Sequence, residues 1–300
     1  MFGASHVPDA MKLLLKFNLV FLAVFVAGLV VSAVVARDLL RRDAQEEVLD
    51  RARLLMEKAS VVSVYTSEQI APLLKAQMEH EFLPQSVPAF SSMEVLNALR
   101  SKYPDYGYKP AMLNPTNPRD RAVEWEADVI EQFRREPERA EFIGQRDTPS
   151  GRSLYVARPI RITNPACLQC HSTAEAAPAT LVAKYGPNNG FGWTLNEPIG
   201  VQLVSVPMAA PMARADNALV TVVGLLTAVF VAIGAALNLL LWKLVIQPVR
   251  RLSALSDRVS LGELDAPEFV VRSRDEIGVL AGSFSRMRKS LVHAMKLLDQ

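Results

Sequence analysis

Two long uncharged runs constrain this chain before any other feature does. No residue from Leu19 to Ala36 is charged, and none is charged from Ala218 to Trp242. A helix rises about 1.5 Å per residue, so roughly 20 apolar residues match the ~30 Å hydrocarbon core of a bilayer. Residues 17–36 read as an uncleaved signal anchor. The run is too long for a cleaved signal peptide, and Ala33-Val34-Val35-Ala36 continues directly into Arg37-Asp38. Residues 218–242 read as a second span, closed by an interfacial Trp242 and by Lys243. Two spans place residues 1–16 and 243–300 on one side of a membrane and residues 37–217 on the other. Lys243, Arg250 and Arg251 favour a cytoplasmic C-terminal segment, but Arg37, Arg41 and Arg42 follow the first span, so charge alone leaves the orientation open.

Composition agrees with a few spans joined to water-facing parts: 50% of the residues are hydrophobic and 21% charged. A net charge of +2 without a block of Lys or Arg gives no electrostatic footprint for nucleic acid. The two cysteines lie too close together to staple a domain, which excludes a disulfide scaffold.

Those cysteines form Cys167-Leu168-Gln169-Cys170-His171, the c-type haem attachment pattern. Two thiols three positions apart can each form a thioether with one vinyl group on a porphyrin edge, and the adjacent His171 is then delivered under the iron as proximal ligand. A thiol redox pair would want a βαβ surround, and residues 160–180 read instead as a Pro- and Ala-rich loop. A zinc site would want a second Cys/His pair. One covalent haem c per chain is therefore expected. Its attachment outside the cytoplasm makes residues 37–217 periplasmic and the protein a two-span inner-membrane one. The sixth ligand stays open. His80, Met78, Met93 and Met112 are candidates, as is a water-bound position; no third cysteine exists to supply a thiolate.

After the second span, Val249, Leu252, Leu255 and Val259 make one helical stripe, opened by Pro248 and ended by Gly262. A connector containing Pro267, Phe269, Val270 and Val271 leads to Asp275-Glu276-Ile277-Gly278. Ile277, Leu280, Phe284, Met287 and Leu291 then recur at coiled-coil steps. Two short amphipathic helices cannot bury their stripes alone, so a parallel four-helix bundle with a second copy is expected. Residues 243–300 resemble a HAMP domain, in the opening proline, the Gly262-Glu263-Leu264 break and Asp-Glu-Ile-Gly.

Between the spans, residues 38–71 read as a long helix with a kink at Pro72, residues 124–135 as a helix with Trp125, Val129, Ile130 and Phe133 on its apolar face, and residues 153–162 and 199–207 as strands. That makes a small α+β domain. The run Leu113-Asn114-Pro115-Thr116-Asn117-Pro118, together with Trp125-Glu126, Phe133, Ala157-Arg158-Pro159-Ile160 and the Cys167 to His171 motif, resembles the c-type-haem, PAS-like periplasmic sensor family. So do Ala177-Pro178-Ala179, Lys184-Tyr185-Gly186, Gly190-Phe191-Gly192-Trp193 and the stretch from Ile199 to Met208. The resemblance implies a PAS-like mixed α/β fold cradling the haem, and a signalling role. Some members of that family use a distal cysteine, which this chain lacks. Gly190 and Gly192 permit close backbone approach to the porphyrin, Phe191 and Trp193 can pack on it, and Arg158 and Lys184 can pair with its propionates.

The expected function is a signal transducer responding to redox state or a diatomic gas, not an enzyme, since nothing near the haem loop presents an acid/base pair. It is expected to dimerise through HAMP and the long helix. The chain ends at Gln300 without a kinase or cyclase segment, so a separate cytoplasmic kinase or other output protein is the expected partner. A membrane-anchored cytochrome for electron transfer is the competing reading, one that leaves the HAMP pair without a purpose.

Overall fold

A computed structural model describes residues 9–263 and 275–298, in two compact units: residues 37–218, and residues 1–36 with 219–300. The connector residues Leu264, Pro267, Phe269, Val270 and Val271 lie outside the described residues. The middle unit is mixed α/β and follows directly from residue periodicity. Strand β1 is Gly107–Met112, β2 Phe142–Thr148, β3 Gly151–Arg161 and β4 Pro198–Pro207. They form one antiparallel sheet in the order β1-β4-β3-β2.

Strand β4 is central and nearly continuously apolar because it is covered on both faces. Val204 and Val206 face one way, with Leu154 and Val156 of β3, and meet Val48, Ala52, Met56 and Ala59 of helix α1 (Asp9–Tyr65). The spacing of these four residues keeps them on one helical stripe. Val201 and Leu203 face the other way, with Ala157, against Val129, Ile130 and Phe133 of a second helix (Glu124–Arg135). This gives a helix–sheet–helix sandwich with a core on each side of the sheet. Burying a Val or Phe contributes about 1.5–3 kcal/mol each, so the two cores carry most of the unit's stability.

The structure adds elements that the sequence pattern does not announce. The long helix ends in a π-helical turn, Thr66–Ile70, and Pro72 stands at the start of helix α2 (Ala71–Met78). A proline ring cannot accept the regular i−4 carbonyl arrangement, and widening the preceding turn relieves that clash. Helix α3 (Pro88–Ala98) follows, and the Glu124–Arg135 helix is α4. Strand β1 contains Pro110, which argues against a central strand; its place at the sheet edge is what tolerates it. The stretch read as a Pro- and Ala-rich loop contains a 3-10 turn, Pro165–Cys167, the one-turn helix α5 (Leu168–His171) and helix α6 (Ala179–Tyr185).

The other unit holds the two apolar runs. The N-terminal part of α1 and helix α7 (Ala209–Leu241) are long and apolar enough to cross a bilayer, with peak mean hydropathies of 2.9 and 2.5. They touch through Phe25 and Phe230, whose ring centroids are 4.6 Å apart. Asn18 and Asn238 donate to each other, at 2.9 and 2.8 Å. Such pairs are worth about 1 kcal/mol where no water competes. Asn238→Leu is therefore expected to weaken the helix pair by about 1 kcal/mol, read as an earlier SDS-unfolding midpoint, because Asn18 keeps its polar group without this partner. The Asn18→Leu/Asn238→Leu double variant is expected to recover part of the loss.

Helices α8 (Gln247–Ser260) and α9 (Glu276–Leu298) pack on each other, burying Leu252, Val259 and Ala281. Three of the five coiled-coil seam residues do not find cover within one chain: Leu280, Met287 and Leu291 are 49%, 58% and 44% exposed.

Candidate functional site

The one-turn helix α5 explains how the cysteines and the histidine come together. Positions i, i+3 and i+4 of a helical turn share a face, and these are Cys167, Cys170 and His171. Asn164 caps the turn from below, its side-chain oxygen accepting from the Ala166 amide at 2.9 Å. Burial pushes the Cys170 thiol up, with Cys167 adding to the effect, so the neutral thiol is favoured.

His171 is held in one tautomer. Its Nδ1–H donates to the Gly190 carbonyl at 2.7 Å, and Thr116 Oγ1 lies 3.5 Å from the same nitrogen. Burial lowers the imidazole's proton affinity, outweighing the opposite pull of the Gly190 carbonyl. The ring is thus neutral, protonated at Nδ1, with the Nε2 lone pair available as a Lewis base. This is the arrangement in which a metal-ligating histidine is oriented by a backbone carbonyl. Trp193 stacks on the imidazole at 3.8 Å between centroids and 15° between planes, fixing its rotation.

The loop that supplies Gly190 and Trp193 is clamped from the opposite segment. Asn114 accepts from the Gly190 amide at 3.1 Å, donates to the Phe191 carbonyl at 3.0 Å, and offers its own carbonyl to the Trp193 indole at 3.3 Å. The amides of Gly192 and Trp193 donate to the Ser172 and His171 carbonyls. Gly190 has φ +83°, and a Cβ there would meet Thr116 Oγ1 at 2.0 Å. Its lack of a side chain answers to Thr116, a partner that sequence alone does not reveal.

His171, Cys167, Cys170 and Trp193 line a cavity of about 760 Å³, within the usual range for small-molecule and cofactor sites. Much of its wall is apolar, including Phe82, Phe90, Met112, Ile160, Ile162 and Leu181. Of the thioether candidates, Met78 and Met112 line the cavity; the Met78 sulfur accepts from the Leu83 amide at 3.1 Å, and Met112 is 7% exposed. Met93 packs instead against the α1 core. His80 is exposed on the turn after α2 and does not line the cavity. Arg158 is paired with Glu57 and Glu141, the latter at 3.2 Å, and Lys184 donates to the Phe82 carbonyl at 3.2 Å; neither lines the cavity, nor does Phe191. Sequence reasoning passed over Tyr108 and Asp120, both cavity-lining and ionisable. Among the described residues no three His, Cys, Asp or Glu side chains converge as a site for a bare metal ion.

Residues 41–207 match the family described as Tll0287-like, and residues 240–293 match the HAMP domain. Among solved structures, one titled as the cyanobacterial heme-protein Tll0287 is similar at 17% identity and a TM-score of 0.35, over 55% of this chain and 91% of that one. No curated protein matches.

Proposed function

The chain belongs to the Tll0287-like family, and on that premise we propose that it is a membrane signal transducer carrying one covalently attached haem c in its middle unit. The protein that gives the family its name is titled a heme-protein. The observation that carries the proposal lies within this chain. Cys167, Cys170 and His171 share one helical turn at the wall of an apolar cavity, and the imidazole is locked by Gly190 with Nε2 available.

These residues fit a c-type haem. Cys167 and Cys170 would hold it through thioethers, His171 would offer Nε2 to the iron, Trp193 and Asn114 would hold the imidazole and its loop, and the apolar walls would exclude water. A bound haem supplies a one-electron iron centre with a sixth position for a protein ligand or a diatomic gas. Of the protein ligands considered, the cavity offers Met78 and Met112. Covalent haem attachment places the middle unit on the periplasmic side of an inner membrane, with HAMP in the cytoplasm. The exposed Leu280, Met287 and Leu291 seam supports a homodimer through HAMP, in which two packings of the bundle pass the change to a downstream output protein.

The test is an absorption spectrum of the full chain expressed with haem-maturation machinery, oxidised and reduced, with and without NO and CO. A c-type spectrum with gas binding to the reduced form is the outcome for a gas sensor. A low-spin spectrum indifferent to both gases marks a redox sensor with two protein ligands. A chain that carries no haem under these conditions would refute the reading.

A further inference from the structure

Asp120 lines the same cavity as His171 but belongs to a different part of the fold, the 3-10 turn Pro118–Asp120. Its side chain is 14% exposed, and Oδ1 is buried without a hydrogen-bond partner among the described residues. The cations nearby are committed elsewhere. Arg119 Nε stands 3.6 Å from Oδ1, too far for a hydrogen bond, while its Nη1 is bonded to Glu94 of α3. Lys109 of β1 donates to Glu126 Oε2 at 2.6 Å and to the Arg121 carbonyl at 2.8 Å. Two phenols line the same cavity and interact electrostatically with Asp120: Tyr108 of β1 and Tyr185 of α6. A carboxylate oxygen so placed lacks a hydrogen-bond donor for its charge, and a proton would supply what the surroundings of Oδ1 do not.

We propose that Asp120 is a proton-accepting site coupled to the electron in the cavity: it takes up one proton from solvent when the haem gains one electron, and releases it on oxidation. The inference rests on the haem reading above. The electron comes from an external one-electron reductant and the proton from water, so one positive charge enters the cavity for each negative one and the Asp120 carboxylate becomes a neutral carboxyl. The coupling is electrostatic: an added electron in a low-dielectric cavity raises the proton affinity of an acid that shares it. Burial already pushes the Asp120 carboxyl up to about 6, against the lowering pull of Arg119 and Lys109 and with the support of Glu94. Proton uptake on reduction is therefore expected to set in above about pH 6. The sensor's redox threshold would then follow the pH of the compartment the unit faces.

The test is a spectroelectrochemical titration of the haem-loaded full chain in detergent, from about pH 5 to about pH 8. The wild-type midpoint potential is expected to be flat below about pH 6 and to fall above it. The slope approaches about 59 mV per pH unit, the value of a tenfold change for one electron. Asp120→Asn is expected to remove that slope, and Asp120→Glu to retain it with a displaced onset. A flat wild-type profile, or equal slopes in wild type and Asp120→Asn, overturns the inference while leaving the haem reading standing. A chain without haem overturns both. If Asp120→Asn does not accumulate, Asp120→Glu decides, and an unmoved onset overturns the coupling.

Discussion

A Cys167→Ser/Cys170→Ser double variant is expected to lose all haem that survives denaturation, while the apo fold persists. On the proposed attachment each thiol would supply one thioether, so either single variant is expected to retain a covalent haem through the other cysteine, with a red-shifted reduced α band from the unreacted vinyl. Neither sulfur holds the fold. Cys167 is exposed, Cys170 is half-buried and both are free thiols, and no core cluster includes them. Circular dichroism should therefore be nearly unchanged between the double variant and the apo chain. His171→Ala separates attachment from ligation: the haem stain on a denaturing gel is expected to persist, while the spectrum loses its proximal-imidazole character. Covalent haem on the double variant would mean that the motif is not the attachment site. Loss of the apo fold would instead mean that the turn is structural.

What the sequence made legible follows the physics of each feature. The Cys167 to His171 motif is readable because the covalent chemistry proposed for it would fix its spacing, whatever surrounds it. Strand β4 is readable because it is buried on both faces and so runs nearly continuously apolar, β3 because Leu154 to Ile160 carry its apolar residues, and α4 because Trp125, Val129, Ile130 and Phe133 recur at helical spacing. The edge strands are not readable: Pro110 interrupts β1, and β2 alternates between half-buried and exposed residues around Gln145, Arg146 and Asp147. Pairings across the fold are the least legible. Arg158 and Lys184 look like cations for propionates, yet one meets Glu57 and Glu141 and the other the Phe82 carbonyl, partners 17 to 102 residues away. Asp120 looks like a solvated turn residue in Pro118-Arg119-Asp120, and only the fold shows that it lines a cavity with Oδ1 unpartnered. The motifs from Leu113 to Met208 that resemble a haem sensor family fall almost wholly within residues 41–207, which match the Tll0287-like family.

The second large effect is expected at Gly190, where one methyl group should damage both fold and site. A non-glycine residue at φ +83° costs about 1–2 kcal/mol. The added Cβ would also stand 2.0 Å from Thr116 Oγ1 and 2.7 Å from Thr116 Cα. The hydroxyl can rotate away, but the Cα is backbone, held in the segment that Asn114 ties to the same loop. Relieving such a clash typically costs a further 1–3 kcal/mol or about that. Gly190→Ala is therefore expected to destabilise the middle unit by about 2–5 kcal/mol, a fall in Tm on the order of 5–15 °C for a unit of this size. The Gly190 carbonyl is also the acceptor that holds His171 Nδ1–H at 2.7 Å, so the loaded variant should show a perturbed ferric spectrum as the imidazole loosens. Gly192→Ala is the matched control: φ is +76° there too, but nothing lies within 4 Å of an added Cβ. It should lose only the conformational part, about 1–2 kcal/mol, and leave the His171 acceptor in place. Equal losses from the two variants would mean that the Thr116 contact carries none of the effect, and an unperturbed spectrum in Gly190→Ala would free the imidazole's orientation from the loop.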